Sequence, residues 1–314
     1  MNLVRHGSPL GMAALLCLLC LLPARAEAQL EREVTALNKL CRNAMATPDL
    51  EEALRVCRRI RFDVGKLAPG SRSEVQSLVN LGDVQRLVSN QVDADAYYTA
   101  ALALVDGGRN DAMALVLMNT LIEVKSSRGK FLETELMLRR AIALQQKLAS
   151  DPLDVARLRL RLADTQSQSH QFLLAEQLYG EIIKGLGTET ARIGAPAADL
   201  QAVAVQGLAE TLERQEKLER AEEQYLRLLN TNNFGTPGAR DVGLSKVQVL
   251  DRLGFVAEQL GRRSDAIDHY DRELKLLLQM PAAAASTLDT EIANLTAKLA
   301  SLRARTPIEA VSNR

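Results

Sequence analysis

One spacing returns six times along this chain, and it constrains the fold more than any other feature. Its clearest copy is Leu250–Glu273. Leu250, Leu253 and Ala257 fall at helical spacing, and Gly261 marks a turn. Ser264 with Asp265 reads as a helix start, and Ala266 and Tyr270 lead a second apolar stripe. A connection this short requires the two helices to lie antiparallel. Gly254 and Ala266 then sit where the backbones approach most closely, and Tyr270 covers them.

The same register, with a small residue, Ala twelve residues later and Tyr four beyond that, is found upstream. The copies are Ala209, Ala221 and Tyr225; Ala163, Ala175 and Tyr179; and Gly82, Ala94 and Tyr98. Two weaker copies are Ile122, Thr134 and Leu138, and Cys41, Ala53 and Cys57. The reference positions 41, 82, 122, 163, 209 and 254 are separated by 41, 40, 41, 46 and 45 residues.

This pattern resembles the tetratricopeptide repeat (TPR), a helix-turn-helix unit of roughly 34 residues. The excess of about seven residues equals two helical turns, most simply one more on each helix. It is similar to the longer repeats of kinesin light chains. The resemblance implies an all-α fold, a right-handed α-solenoid of about six TPR-like repeats over 29–280. An amphipathic capping helix at 281–305 and a tail at 306–314 follow. Aromatic residues are 3% and Trp is absent, which suits Leu/Ala-rich helices and not a β-sandwich. Thr47-Pro48, Pro69-Gly70-Ser71, Asp106-Gly107-Gly108 and Asp151-Pro152 supply boundaries. Gly185–Pro196 and Asn230–Gly238 read as longer surface loops that account for the two wider intervals. Ser286 with Asp289 resembles a capping box, ahead of a stripe of Leu288, Ile292, Leu295, Leu299 and Leu302. That stripe would cover the exposed face of the last repeat.

Residues 1–28 read as a cleavable signal peptide. Arg5 precedes the apolar run Gly11–Leu22, Pro23 breaks it, and small-x-small cleavage sites end at Ala26 and Ala28. The mature protein is therefore expected to be periplasmic or secreted, with no integral membrane segment. Cys41 and Cys57 are the cysteines that remain, in a compartment that permits pairing. With one helix ending near Ala46 and the next starting at Pro48, their axial offset is roughly 6 Å. Bonded Cα atoms lie within about 7 Å. The two either form a disulfide or stay as buried thiols.

Nothing in the sequence carries a recognisable reaction. The charge balance is 39 basic against 39 acidic residues, which gives no footprint for nucleic acid. No G-x-S-x-G elbow is present, and Val64-Gly65-Lys66 lacks a phosphate-binding loop. Asp268-His269-Tyr270-Asp271 diverges around a helix and reads as surface charge, not as a metal site. No cofactor and no enzymatic activity are expected. The residue after the reference position is Asp83, Glu123, Asp164 and Glu210 in four successive repeats, and Phe255 in the last. In the family that position tends to face a concave groove. The resemblance therefore implies a ladder of acids ending in an aromatic, suited to a basic partner segment. The alternative is that each acid pairs with a nearby arginine such as Arg86, Arg161 or Arg214. A carboxylate clamp of the kind some family members use is represented only by Arg157 and Arg161, with Val79, Asp83 and Thr120 where its other residues belong. The function read from the sequence is a non-catalytic scaffold that binds a partner protein or peptide through the groove. The alternative is a subunit of an envelope assembly that contacts its neighbours by edges and loops.

Overall fold

The computed structural model describes residues 28–106, 110–148, 151–230, 245–279 and 285–304. The expected signal peptide as far as residue 27, the Asn230–Gly238 turn cluster beyond its first residue, and the tail at 306–314 lie outside these. Every regular element among the described residues is an α-helix. They are α1 (28–45), α2 (Leu50–Leu67), α3 (Arg72–Leu87), α4 (Gln91–Val105), α5 (Asp111–Ser127), α6 (Phe131–Lys147) and α7 (Pro152–Gln168). These are followed by α8 (Phe172–Ile193), α9 (Ala195–Arg214), α10 (Leu218–Asn230), α11 (Lys246–Gln259), α12 (Arg263–Leu277) and α13 (Ala285–Ala304). Two compact units, Met1–Met137 and Leu138–Arg314, divide within α6. Within each unit, consecutive helices pack against one another.

The helix pairs are closed by one recurring turn, seven residues after each reference position. Ser89, Gly129, His170, Glu216 and Gly261 all have φ between 58° and 70°. In each, the next backbone N–H donates across the turn to a carbonyl five residues back: Asn90 to Gln85 (2.8 Å), Lys130 to Lys125 (3.0 Å), Gln171 to Gln166 (2.8 Å), Lys217 to Leu212 (3.0 Å) and Arg262 to Ala257 (2.8 Å). This satisfies an otherwise orphaned helix-end carbonyl and reverses the chain in very few residues. It is also what fixes the twelve-residue offset between facing positions.

The first pair breaks the pattern. Its seventh position is Pro48, whose ring excludes positive φ. A different turn follows, and Asp49, not Thr47, caps α2 by accepting from the N–H of Glu52 (2.9 Å). Starting α2 at Leu50 brings the axial positions of Cys41 and Cys57 to within roughly 4–5 Å. The two form a disulfide with a Cα–Cα distance of 4.8 Å. It lies in a core with Val34, Ile60, Val64, Leu81 and Val84. The pair that lacks the left-handed turn is the one closed covalently.

Within the α3–α4 and α11–α12 pairs, close approach is set by glycine against tyrosine. A Cβ on Gly82 would lie 2.7 Å from the Tyr98 ring, and one on Gly254 would collide in the same way with Tyr270. Tyr98, Tyr179, Tyr225 and Tyr270 are all essentially fully buried. At the C-terminal end, Leu295, Leu299 and Leu302 of α13 join Ala257, Ala266, Tyr270 and Leu277 in one apolar cluster. Arg303 anchors α13 further through Asp271 (2.6 Å).

Several local expectations are corrected. Gly185–Pro196 is not a loop: α8 continues through Gly185 and Gly187 to Ile193, and only Gly194 (φ 82°) interrupts before α9 begins. Ile183 and Leu186 are buried in one apolar cluster with Ala197 and Val205 of α9, so packing holds the segment as helix. The wide interval of 46 residues thus comes from longer helices. Ser264 lies inside α12, which Arg262 precedes, and Ser286 lies inside α13. His269 is buried and not on the surface; burial, with Arg272 nearby, lowers its pKa.

Gly254→Ala is expected to destabilise the protein by about 1–3 kcal/mol, because the added methyl meets the ring of a buried tyrosine. Gly180→Ala, exposed in α8 with open space around its Cβ, should instead stabilise by about 0.5–1 kcal/mol. Urea unfolding of the two variants reads out the opposite signs.

Candidate partner-binding groove

A buried tyrosine hydroxyl needs a hydrogen-bond acceptor, and each of the four finds a carboxylate on the first helix of its own pair. Tyr98 donates to Asp83 (2.5 Å) and Tyr179 donates to Asp164. Tyr225 donates to Glu213 (2.9 Å) and Tyr270 to Glu258 (2.6 Å). Asp83 and Asp164 follow the reference position directly. Glu213 and Glu258 stand one helical turn later, where a longer side chain reaches the same hydroxyl. Burial, with the adjacent carboxylate, pushes all four phenols well above their ordinary pKa. The acids read from the sequence as a groove ladder therefore include two whose first role is internal.

In the unit Met1–Met137, Asp83 is half-buried. Burial raises its pKa, opposed by the Tyr98 bond and by Arg86, so the arginine pairing weighed from the sequence is present as an electrostatic neighbour. Glu123 is exposed on α5. The equivalent of tyrosine in its repeat is Leu138, which has no hydroxyl to offer.

In the unit Leu138–Arg314, Asp164 and Glu210 come together. They line one cavity of about 270 Å³ with Ser167, Tyr179, Gln206 and Arg214. Gly207 forms part of its wall, and a Cβ there would strike the Tyr179 ring. Gln206 donates to Glu210 (2.8 Å), and Arg214 donates to Ser167 Oγ (3.0 Å). Asp164 remains open to solvent at the cavity mouth while protein encloses its other sides. Its pKa is raised by desolvation and by the like charge of Glu210, against the Tyr179 bond, Arg214 and Arg161. Arg157 pairs with Asp154 on its own helix (2.7 Å). Phe255 occupies the same register on α11 and is 37% exposed.

Two further charged clusters carry no periodic signature in the sequence. Lys125 bridges Asp95 (2.8 Å) and Glu133 (2.7 Å), with Arg128 also on Asp95 (2.6 Å). Lys125, with Lys130 (2.9 Å), holds the pKa of Glu133 down to about 2. The other cluster surrounds Glu273, which is buried beside α13.

No family model and no curated protein matches the sequence. Among solved structures, the chain is similar to BtubC (BKLC) from P. vanneervenii, with a TM-score of 0.52 at 19% identity over 91% of this chain and 96% of that one. It is also similar to a Podosopora anserina kinesin light chain-type protein of nearly identical TPR-like repeats, with a TM-score of 0.50 at 14% identity over 62% of this chain and 92% of that one. The fold is the TPR-like helical repeat. At such identities the likeness speaks for the fold alone. Within that fold, the all-α class and the paired-helix repeat expected from the spacing are both present.

Removing the Tyr179 hydroxyl takes away a bond that favours the ionised form of Asp164, so Tyr179→Phe should raise its pKa further. Glu210→Gln removes a like charge and should lower it. NMR titration of the Asp164 side-chain carboxyl carbon in the two variants is expected to show these opposite shifts.

Proposed function

We propose that this protein is a non-catalytic interaction scaffold whose Asp164–Glu210 cavity and the neighbouring Phe255 position receive a basic, extended segment of a partner protein. The observation that carries this reading is the convergence of two carboxylates from successive first helices on one open cavity. Bringing them together costs electrostatic free energy, which a cationic side chain would recover. Each keeps acceptor capacity that its internal bonds leave unused, since a carboxylate offers about four lone-pair sites. Phe255 supplies an apolar contact at the equivalent position of the following pair. The N-terminal sequence supports export to the cell envelope, where such a scaffold would act outside the cytoplasm.

A second reading, a subunit of an envelope assembly, is favoured by the apolar surface of α8. Leu173 is 74% exposed there, and Leu174 lines a cavity of about 430 Å³ with Leu178, Ile142 and Ala143. Light scattering distinguishes the two, since the scaffold is expected as a monomer and the assembly subunit as an oligomer.

The test of the first reading is affinity capture from an envelope extract with the mature protein, Phe255→Ala, and Asp164→Asn combined with Glu210→Gln. A partner retained by the wild type should be lost from both variants, and more readily at high salt, with circular dichroism unchanged. Equal retention by all three proteins removes the groove reading.

A further inference from the structure

The buried carboxylate of Glu273 has no role in the groove, and its surroundings are those of a built site. Glu273 on α12 is 4% exposed, and its Oε2 has no hydrogen-bond partner among the described residues. Buried polar groups are almost always paired, and leaving one unpaired costs about 1–3 kcal/mol, more for a charge. The side chain lines a cavity of about 430 Å³ between α11, α12 and α13, with Asp251 from α11 and Glu291 from α13. Three carboxylates from three helices thus face one space. The other lining residues are the polar Gln248, Thr290 and Asn294 and the apolar Val247 and Leu295.

Lys298, the one cation among the described residues that line this cavity, is already engaged. Lys298 Nζ pairs with Glu258 (3.0 Å), bonds to the Tyr270 hydroxyl (2.5 Å) and stands 4.0 Å above the Tyr270 ring. The carboxylates are also too dispersed for a metal ion: among the described residues no group of three His, Cys, Asp or Glu side chains is placed to hold one. An ammonium group differs from a metal in this respect. It carries three N–H donors directed apart and binds at hydrogen-bond length, so acceptors spread over three helices suit it. The volume falls within the range of small-ligand sites, and Val247 and Leu295 provide an apolar wall for an alkyl chain.

We propose that this cavity binds a primary ammonium group on an alkyl chain, either a free diamine or a lysine side chain, with Glu273 as the central acceptor. The site is separate from the Asp164–Glu210 cavity and does not depend on what that cavity binds. Burial pushes Glu273 up to about 7, reinforced by Asp251 and Glu291 and opposed by Lys298. An amine of ordinary pKa stays charged throughout this range. The bound complex requires the ionised carboxylate, so affinity should rise roughly tenfold from pH 6 to pH 8.

Calorimetric titration of the mature protein at low salt tests the proposal, with 1,5-diaminopentane in one arm and a neutral-ended peptide bearing a single lysine in the other. A saturable site is expected that is at least tenfold weaker in Glu273→Gln, severalfold weaker in Glu291→Gln at the exposed rim, and unchanged in Glu219→Gln on the exposed face of α10. The arm with the tighter binding identifies the source of the amine. Absence of saturable binding by either probe at pH 8 overturns the proposal, as does equal affinity in the wild type and both carboxylate variants. Circular dichroism of each variant confirms that it is folded.

Discussion

A tyrosine ring buried against a glycine or alanine leaves its hydroxyl inside the protein, and that hydroxyl must have an acceptor. Much of the structure depends on this one requirement. It dictates a carboxylate on the facing helix, close enough for one bond, in each of the four pairs that carry the tyrosine. Two of those carboxylates take a second, cationic partner from the next first helix or from α13: Glu213 binds Arg252 (3.3 Å) and Glu258 binds Lys298 (3.0 Å). The bond that completes one pair therefore also ties it to its successor. In this way a local packing demand becomes a connection between successive repeats.

The carboxylates have a consequence for recognition. An acid that holds a buried phenol cannot move freely toward a ligand, but it is held in place, and a preorganised acceptor loses little order on binding. Asp164 is the clearest case, fixed by Tyr179 yet open at a cavity it shares with Glu210. Glu273 is the opposite case. Its Oε2 has no hydrogen-bond partner among the described residues.

The fold was legible because the spacing has a mechanical origin. Position seven closes the turn, and position twelve faces the reference residue across the pair. Gly129 and Gly261 signal that turn openly, but Ser89, His170 and Glu216 adopt the same backbone without a glycine, so no motif search on glycine alone would find them. Gly185 and Gly187 point the other way, since packing of Ile183 and Leu186 against α9 holds the helix they would otherwise weaken. The acids of the groove were visible as a pattern, but their tyrosine partners were not. The signal was present in the sequence: wherever the tyrosine occurs, an acid stands one or four residues after the reference position. Glu273 could not have been found, because its burial depends on how α13 docks, and periodicity does not report which charged residues an added helix covers.

The tyrosine–carboxylate bond is an energetic link and not a coincidence of packing. A double-mutant cycle on Tyr179→Phe and Asp164→Asn, read by denaturant unfolding, measures it most directly. The structure predicts a coupling of about 1–2 kcal/mol, with the double variant less destabilised than the sum of the single ones. Additivity within about 0.3 kcal/mol would contradict it.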